Sequence, residues 1–256
     1  MSAGPAGDFD YDRAGAGYAT VRRTDPRIAA MVHAALGGAG SVVNVGAGAG
    51  SYEPADRAVV AVEPSAAMRA QRPASAAPAV AAVAERLPFA DGSFAAAMAT
   101  VTVHQWRDHI AGLRELRRVS SGPVVLLTFD GDALDRLWLA DYVPELRDAE
   151  RGRYPSMAAI DAALGGGTVV TEVPIAPDCP DGFTEAYYAR PEAFLEASVR
   201  RGQSAWGFVD GGVEERFVAR LRADLDAGAW DLRYGYLRTQ PEFVGALRLV
   251  VQRGPA

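Results

Sequence analysis

Three alternating glycines and a later glutamate are the residues of this chain best suited to bind a ligand. The stretch VVNVGAGAG places Gly46, Gly48 and Gly50 directly after an apolar run, and glycine permits unusual backbone dihedral angles and close approach by a ligand. Glu63 lies 17 residues after Gly46, at the end of a second apolar run. A carboxylate there can accept hydrogen bonds from both hydroxyl groups of a ribose, or it can simply begin the helix that follows Pro64.

A third segment extends this chemistry. Residues 83–94, VAERLPFADGSF, combine an acid after an apolar run with a Leu-Pro turn and an Asp-Gly-Ser-Phe turn. Such a segment can cover an adenine ring and hydrogen-bond to it through backbone and carboxylate groups. The dinucleotide fingerprint requires G-x-G-x-x-G, whereas Ser51 stands at its third glycine position. The spacing therefore speaks against a nicotinamide dinucleotide.

The composition excludes several other kinds of chemistry. All 26 basic residues are Arg, so no lysine can form a Schiff base or complete a phosphate-binding GK[ST] loop. The net charge is -6 and no basic cluster is present, which speaks against a nucleic-acid partner. Three histidines and scattered acids show no metal-ligand spacing.

The expected location follows from the cysteine count and the N-terminus. The single Cys179 cannot form an intramolecular disulfide and fits a reducing cytosol. The first residues lack the basic and apolar regions of a signal peptide, and no run of 18 uncharged apolar residues is present. We expect a cytoplasmic protein, a monomer or homodimer, without a membrane partner.

The order of apolar runs predicts the scaffold. Asp25 as N-cap and Pro26 in the first turn begin a helix. Between residues 25 and 130, five short apolar runs alternate with helical patterns, which predicts buried parallel strands wound by helices. Two further strands are predicted at 166–175 and 242–252. Ligands of such folds bind at the carboxyl ends of the strands, so the glycines and Glu63 would face one site.

Four motifs, in this order, resemble the class I S-adenosylmethionine-dependent methyltransferases, most closely the small-molecule branch related to the ubiquinone/menaquinone biosynthesis enzymes. They are VVNVGAGAG, VVAVEPSAAM, AERLPFADGSF and VTVHQW, and they fall within residues 40–130. The resemblance implies S-adenosylmethionine as cofactor. It also implies a Rossmann-like α/β fold with a seven-stranded, mostly parallel sheet whose last strand is antiparallel.

The strand and helix pattern, together with the resemblance, divides the chain into parts. Residues 25–130 would form the cofactor-binding core, which 166–175 and 241–256 complete with the final strands. Two segments, 131–165 and 176–240, would lie over the carboxyl edge of the sheet as a helical lid that binds the acceptor. An N-terminal segment, 1–24, would close over the cofactor.

The implied cofactor-binding residues are those that match the motifs. The glycines would pass beneath the methionine part, Glu63 would hold the ribose, and residues 84 and 85 would reach the adenine. The full set is Tyr18, Arg22, Asn44, Gly46, Gly48, Glu63, Pro64, Met68, Ala84, Glu85, Ala99 and Thr100.

Two of these positions have alternative interpretations. Tyr18 and Arg22 are four residues apart on one helical face, and in relatives such a pair closes over the cofactor carboxylate; a solvated helix explains the pair equally well. Asn44 stands where the family usually has Asp or Glu, so it can hydrogen-bond but offers no charge.

The candidate for proton transfer is His104. It leaves the fourth predicted strand where the methyl group of the cofactor would point. With an unperturbed pKa of about 6.5, a histidine acting as general base predicts activity that rises with pH through that region; a neutral histidine bonded to backbone is the alternative. Trp106 would wall the pocket.

Acceptor binding is predicted from an aromatic cluster in residues 178–194. Small-molecule pockets use an apolar, aromatic lining with few polar groups, although the same cluster could form the core of the lid itself. The predicted acceptor-binding residues are Trp106, Phe183, Tyr187, Tyr188 and Arg190.

The sequence therefore predicts methyl transfer to a small organic acceptor, in the biosynthesis of a natural product or cofactor. Two alternatives remain. One is a protein that binds S-adenosylmethionine to assist a cyclisation or rearrangement. The uncharged Asn44, at a position that is usually acidic in the family, is compatible with this alternative. The other is a nicotinamide-dependent oxidoreductase, which the glycine spacing disfavours.

Overall fold

A seven-stranded sheet forms the centre of the protein. The computed structural model describes Gly7, Phe9, Asp10, Asp12 and residues 22–254. The strands are β1 (Ser41–Val45), β2 (Ala58–Val62), β3 (Ala79–Val80), β4 (Ala96–Thr100), β5 (Val124–Phe129), β6 (Thr168–Glu172) and β7 (Leu247–Gln252). Their order is β3-β2-β1-β4-β5-β7-β6. Strands β1 to β5 pair in parallel, and β7 runs antiparallel to both β5 and β6. The predicted Rossmann-like fold, including its antiparallel last strand, is confirmed.

Helices flank the sheet and fill the segments between the late strands. The α-helices are α1 (Pro26–Ala35), α2 (Ala66–Ala70), α3 (His109–Val119), α4 (Leu139–Tyr142), α5 (Pro144–Arg151), α6 (Met157–Ala163), α7 (Ala197–Arg201), α8 (Gly211–Asp226) and α9 (Ala229–Tyr234). Short 3-10 helices cover Val103–Gln105, Gly131–Arg136, Thr184–Tyr187, Pro191–Leu195, Ser204–Phe208 and Gly235–Thr239. Within the described residues, none of the helices is both long and apolar enough to cross a membrane.

Capping explains where two of these helices begin. The Asp25 carboxylate accepts hydrogen bonds from the backbone N–H groups of Arg27 and Ile28, and proline occupies the first turn of α1, as predicted. Asp108 caps α3 through the N–H of Ala111. Each cap supplies an acceptor to N–H groups that have no partner within the helix.

The central strands β1, β4 and β5 are buried on both faces, so the sheet carries two hydrophobic cores, whereas the edge strand β6 is largely exposed. Successive side chains of a strand point to opposite faces. Val42 accordingly packs in the core beneath α1 together with Val32, while Val43 packs in the core beneath α3 together with Leu116. The two cores hold the sheet from both faces. The carboxyl ends of its strands therefore remain available to form a ligand site.

The third strand is shorter than predicted. The sequence predicts a strand over 78–85, whereas β3 contains two residues at the sheet edge. The following residues, among them Val83 and Ala84, leave the sheet and line a cavity instead. An alanine-rich run offers little side-chain surface to hold a longer edge strand.

Candidate functional site

A cleft, here called the glycine cleft, lies at the carboxyl ends of β1, β2 and β4. It has two adjoining parts that share Gly46, Glu63, Thr102 and Gln105. Residues of the glycine turn and the end of β4 line one part: Ala47, Gly48, Ala49, Ser51, Tyr52, Met68, Thr100 and Val101. The other part is lined by Pro64, Ser65, Val83, Ala84, Glu85 and Trp106, with Gly7, Phe9, Asp10 and Asp12.

The glycine turn needs glycine for different reasons at its first two positions. Gly46 and Gly48 have φ angles of 71° and 51°, which glycine adopts without steric cost. A Cβ at Gly46 would collide with the side chain of Thr102, whereas a Cβ at Gly48 would touch only Met68 Cε, at 3.4 Å. Gly46 is therefore required by packing within the protein, and the backbone near Gly48 is the more open part of the turn.

Glu63 is held in place before any ligand arrives. Its side chain is buried, and its two oxygens accept hydrogen bonds from the N–H groups of Gly48 (2.9 Å) and Ser65 (2.8 Å). Burial raises the pKa of this carboxyl group, and the two N–H donors oppose the shift. Each carboxylate oxygen can accept further hydrogen bonds, so Glu63 can still bind hydroxyl groups at the cleft.

Behind the glycine turn lies a carboxylate that the sequence analysis did not identify. Asn44 is fully buried and its Nδ2 donates to Glu53 Oε1 at 3.0 Å. Glu53 is also paired with Arg72, at 2.8 Å, and Arg72 Nη1 donates to the Gly48 carbonyl at 3.3 Å. Glu53 thus supplies, near the glycine turn, the negative charge that Asn44 lacks. Arg72 neutralises this charge and also hydrogen-bonds to the turn.

Arg22 connects the glycine cleft with another part of the chain. Its Nε donates to Asp181 Oδ1 at 2.5 Å, and the hydroxyl of Tyr52 donates to Asp181 Oδ2 at 2.7 Å. Arg22 lines the part of the cleft beside the glycine turn. Its predicted partner Tyr18 lies outside the described residues.

A second cavity, here called the apolar cavity, adjoins the cleft. It encloses about 760 Å³ of empty space, counting the part open to solvent. Its apolar lining comprises Val101, Phe129, Leu134, Leu137, Leu139, Ala140, Val143, Leu146, Phe183 and Ala205. The polar lining comprises Arg22, His104, Gln105, Arg147, Glu150, Tyr154, Thr184, Glu185, Gln203 and Ser204. Arg22, Val101 and Gln105 line both the apolar cavity and the cleft, so the two spaces meet there.

His104 is a buried wall of the apolar cavity. Its ring centroid lies 4.8 Å from that of Tyr154, and its Nε2 lies 3.3 Å from Gln105 Nε2. Nδ1 has no hydrogen-bond partner within the described part of the chain. Burial, and next the charge of Arg153, lower the pKa of this imidazole well below its usual value. His104 is therefore neutral at pH 7.

Val101 is strained at the junction of the two spaces. Its φ angle is 52°, which is unusual for a β-branched residue and marks stored strain. The N–H of Val101 donates to the Leu127 carbonyl at 2.7 Å, so pairing with β5 continues up to this residue. The strained bend directs the chain from β4 into the Thr102–Gln105 segment.

The other predicted residues lie in several places. Thr100 and Met68 line the part of the cleft beside the glycine turn, whereas Ala99 is fully buried in the sheet and lines neither space. Trp106 lines the part of the cleft that holds Pro64, away from the apolar cavity. Glu85 lines the same part, and its Oε1 accepts from the Asp108 N–H at 3.1 Å.

In the aromatic cluster, Phe183 lines the apolar cavity. Tyr187 packs on Phe194, with ring centroids 5.5 Å apart, and Arg190 lies over the Tyr187 ring. Tyr188 stacks on Phe243 at 5.1 Å. These three predicted residues are absent from the described cavity lining and belong to the packing around it.

Several residues that line or brace the site were not found by sequence reasoning. Thr102 and Gln105 belong to the same VTVHQW motif as His104, so their position within two residues of it was a signal. Asp181 and Gln203 carry no local signal, because they reach the site only through tertiary packing. No group of three or more His, Cys, Asp or Glu side chains that could hold a metal occurs among the residues that the structure describes.

Comparisons with known proteins agree with this geometry. Residues 43–125 match a methyltransferase domain. The chain is 27% identical, with a TM-score of 0.83, to a structure described as a candidate methyltransferase from an antibiotic biosynthesis pathway of Anabaena variabilis; the match covers 91% of this chain and 98% of that one. No curated protein sequence gives a significant match.

Two more distant structures share the fold. A candidate methyltransferase from Bacillus halodurans is 15% identical with a TM-score of 0.55, and the match covers 89% of this chain and 99% of that one. The [4+2]-cyclase SpnF is 16% identical with a TM-score of 0.53, covering 90% and 80%. The methyltransferase domain supports S-adenosylmethionine as the cofactor of this chain and methyl transfer as its chemistry.

Proposed function

We propose that the protein transfers a methyl group from S-adenosylmethionine, bound in the glycine cleft, to a small organic acceptor bound in the apolar cavity. The observation that carries the proposal is that Arg22, Val101 and Gln105 line both the cleft and the cavity, so the two spaces adjoin at this junction. Two substrates held in these spaces would meet there. The Anabaena protein belongs to an antibiotic pathway, which supports an acceptor from natural-product biosynthesis.

The residues of the cleft fit the cofactor. Glu63 would accept hydrogen bonds from the ribose hydroxyls, because its charge is buried and its orientation is fixed. The backbone N–H of Ala84 and the side chain of Glu85 would bind the adenine. Arg22 and the open backbone at Gly48 would hold the methionine part. When bound, the cofactor supplies a methyl group on a positively charged sulfur.

For the transfer itself, the chain supplies position and exclusion of water. An activated donor needs alignment with the acceptor more than further chemistry. The apolar walls together with a bound acceptor would exclude water from the junction, and the neutral His104 would hold the acceptor hydroxyl or receive its proton. A low pKa makes His104 a weak base, so proton transfer would accompany methyl transfer rather than precede it.

A second candidate function keeps the cofactor without transferring its methyl group. The same weakly basic His104 favours it, because the apolar cavity then offers shape and hydrogen bonds more than proton transfer. The charge of the bound sulfonium would assist a cyclisation or rearrangement. The methyltransferase domain favours the first candidate.

Titration and product analysis test the proposal. Calorimetry should show binding of S-adenosylmethionine and its demethylated product, S-adenosylhomocysteine, and no binding of reduced nicotinamide dinucleotides. Incubation with acceptor mixtures should then convert the cofactor to S-adenosylhomocysteine, detected by mass spectrometry. Binding without conversion in the presence of a bound, transformed acceptor supports the second candidate. Failure to bind the cofactor contradicts both.

A further inference from the structure

We infer that the acceptor is an uncharged, largely apolar molecule that carries an oxygen for the amide N–H of Gln203 and a second polar group for His104 Nδ1. The inference rests on the proposed function, since it concerns the molecule that the apolar cavity binds. It goes further by naming the charge of the acceptor and two points of recognition.

The cationic groups in the cavity lining are already paired within the protein. Arg22 is paired with Asp181 at 2.5 Å. Arg147 is paired with Asp135 at 3.0 Å and with Asp148 at 2.8 Å. An anionic acceptor would have to compete with these carboxylates for its counter-charge.

The anionic groups are occupied as well. Glu150 forms an ion pair with Arg153 and accepts from the Tyr154 hydroxyl at 3.0 Å. Glu185 uses both oxygens to accept from backbone N–H groups at residues 246 and 247, at 2.7 and 3.2 Å. A cationic acceptor would therefore meet no carboxylate that lacks a partner in the described lining. Burying a charge without a partner is costly, so the cavity favours a neutral molecule.

Among the described residues, two buried polar side-chain atoms of the cavity lining have no hydrogen-bond partner. Gln203 is 6% exposed, and its Oε1 accepts from the Thr184 hydroxyl at 2.9 Å, which fixes the orientation of the amide. Its Nε2 has no hydrogen-bond partner in the described chain, and neither does Nδ1 of His104, which is 5% exposed. Buried polar groups in proteins are nearly always hydrogen-bonded. An acceptor with an oxygen and a second polar group would satisfy both atoms.

Matched naphthalenes test the inference by direct binding. The probes are 6-acetyl-2-naphthol, the anion 6-hydroxy-2-naphthoate of nearly equal shape, and 2-naphthol, which lacks the carbonyl. Each is titrated by calorimetry at pH 7 into the full chain saturated with S-adenosylhomocysteine. We expect the neutral ketone to bind at least about tenfold more tightly than the anion and more tightly than 2-naphthol, because a site built for a hydrogen bond rejects a ligand that lacks it.

Variants locate the recognition. Gln203→Leu should weaken binding of 6-acetyl-2-naphthol about tenfold and leave 2-naphthol nearly unchanged. Gln240→Leu, at a glutamine whose side chain bonds to the Glu242 carbonyl on the surface, should bind both probes as the wild type does. Thr184→Val, which frees the Gln203 amide to rotate, should give an intermediate loss if Gln203→Leu does not fold.

Several results would overturn the inference. They are equal or tighter binding of the naphthoate, equal losses for the two naphthols in Gln203→Leu, or no binding of any probe to protein that binds S-adenosylhomocysteine. Failure to bind S-adenosylhomocysteine would be different, because it would overturn the proposed function itself.

Discussion

Glu63 accepts backbone hydrogen bonds on both of its oxygens, from the glycine turn and from the residue that caps α2. We expect Glu63→Ala to lower the affinity for S-adenosylmethionine at least about tenfold. Hydrogen bonds to charged groups contribute roughly 1.5–3 kcal/mol each, and the ribose would lose its charged acceptor. Isothermal titration calorimetry measures the change.

The same variant also releases the N–H of Gly48, so its melting temperature has to be recorded alongside its affinity. Glu215→Ala, at an exposed acid on α8, is the control for loss of a negative charge. Unchanged cofactor affinity in folded Glu63→Ala would contradict the assignment of Glu63 to the ribose.

At His104, burial changes the expected pH dependence. The pKa of the ring is lowered well below 6.5, so the ring is already neutral at pH 6.5 and takes up a proton only in more acidic solution. If His104 acts in the reaction, initial rates should be nearly constant above pH 6.5 and fall at lower pH. A rate that rises mainly between pH 6.5 and 8 would point to another group.

The substitution His104→Gln separates proton transfer from positioning. Glutamine keeps a hydrogen-bonding group but cannot act as a base near neutral pH. Turnover should fall by roughly 10²–10⁴ if His104 accepts the proton, the usual scale for a positioned general base, while cofactor affinity stays unchanged. Retention of most activity would leave His104 with a positioning role.

At the scale of elements, Phe183 and Tyr188 of the aromatic cluster should respond differently to substitution. Phe183 lines the apolar cavity and packs edge-on against Phe129 at 5.6 Å. Phe183→Leu should raise the KM for the acceptor and leave cofactor affinity within about twofold, because it changes the cavity wall but nearly conserves volume. Steady-state kinetics and calorimetry give the two values.

Tyr188 provides the contrast. It is fully buried, stacks on Phe243, and donates to the Gln240 carbonyl at 2.8 Å. Tyr188→Ala should lower the free energy of unfolding by roughly 3–5 kcal/mol, the scale for losing a large buried aromatic side chain. Urea unfolding checks this. A normal stability with lost acceptor binding would place Tyr188 in the cavity wall after all.

The elements also show what the sequence could predict. Strand burial, the α1 cap at Asp25 and the glycine turn depend on residues close together in the chain, and local pattern was sufficient for them. The third strand was predicted too long because Ala-rich segments look alike in a strand and in a loop. Gln203 and Asp181 could not be predicted, since only tertiary packing brings them beside β4 and the glycine turn.

For the whole molecule, Glu185 predicts how stability varies with pH. It is fully buried, and burial raises the pKa of this carboxyl to about 7. A folded-state pKa above the unfolded value of 4.5 means that the folded protein binds the extra proton. Stability from this group is complete below pH 4.5 and is lost as pH rises through 7, by roughly 3 kcal/mol.

Urea unfolding at pH 5 and pH 8 measures this loss. Glu185→Gln cannot titrate, so its free energy of unfolding should fall by roughly 3 kcal/mol less than that of the wild type between the two pH values. His104 titrates in both proteins, so its contribution to the pH dependence of the unfolding free energy cancels in the comparison. Equal changes in the two proteins would show that Glu185 is ionised throughout.

The carboxylate of Asp181 is bound by Arg22, which lines both ligand spaces, and by Tyr52, which follows the glycine turn. A ligand that shifts Arg22 in one space therefore changes the other, and the two affinities become linked. Such coupling is reciprocal: if S-adenosylhomocysteine strengthens the binding of 6-acetyl-2-naphthol by some factor, the naphthol must strengthen the binding of S-adenosylhomocysteine by the same factor. Asp181→Asn, which weakens this shared contact, should bring the factor close to one.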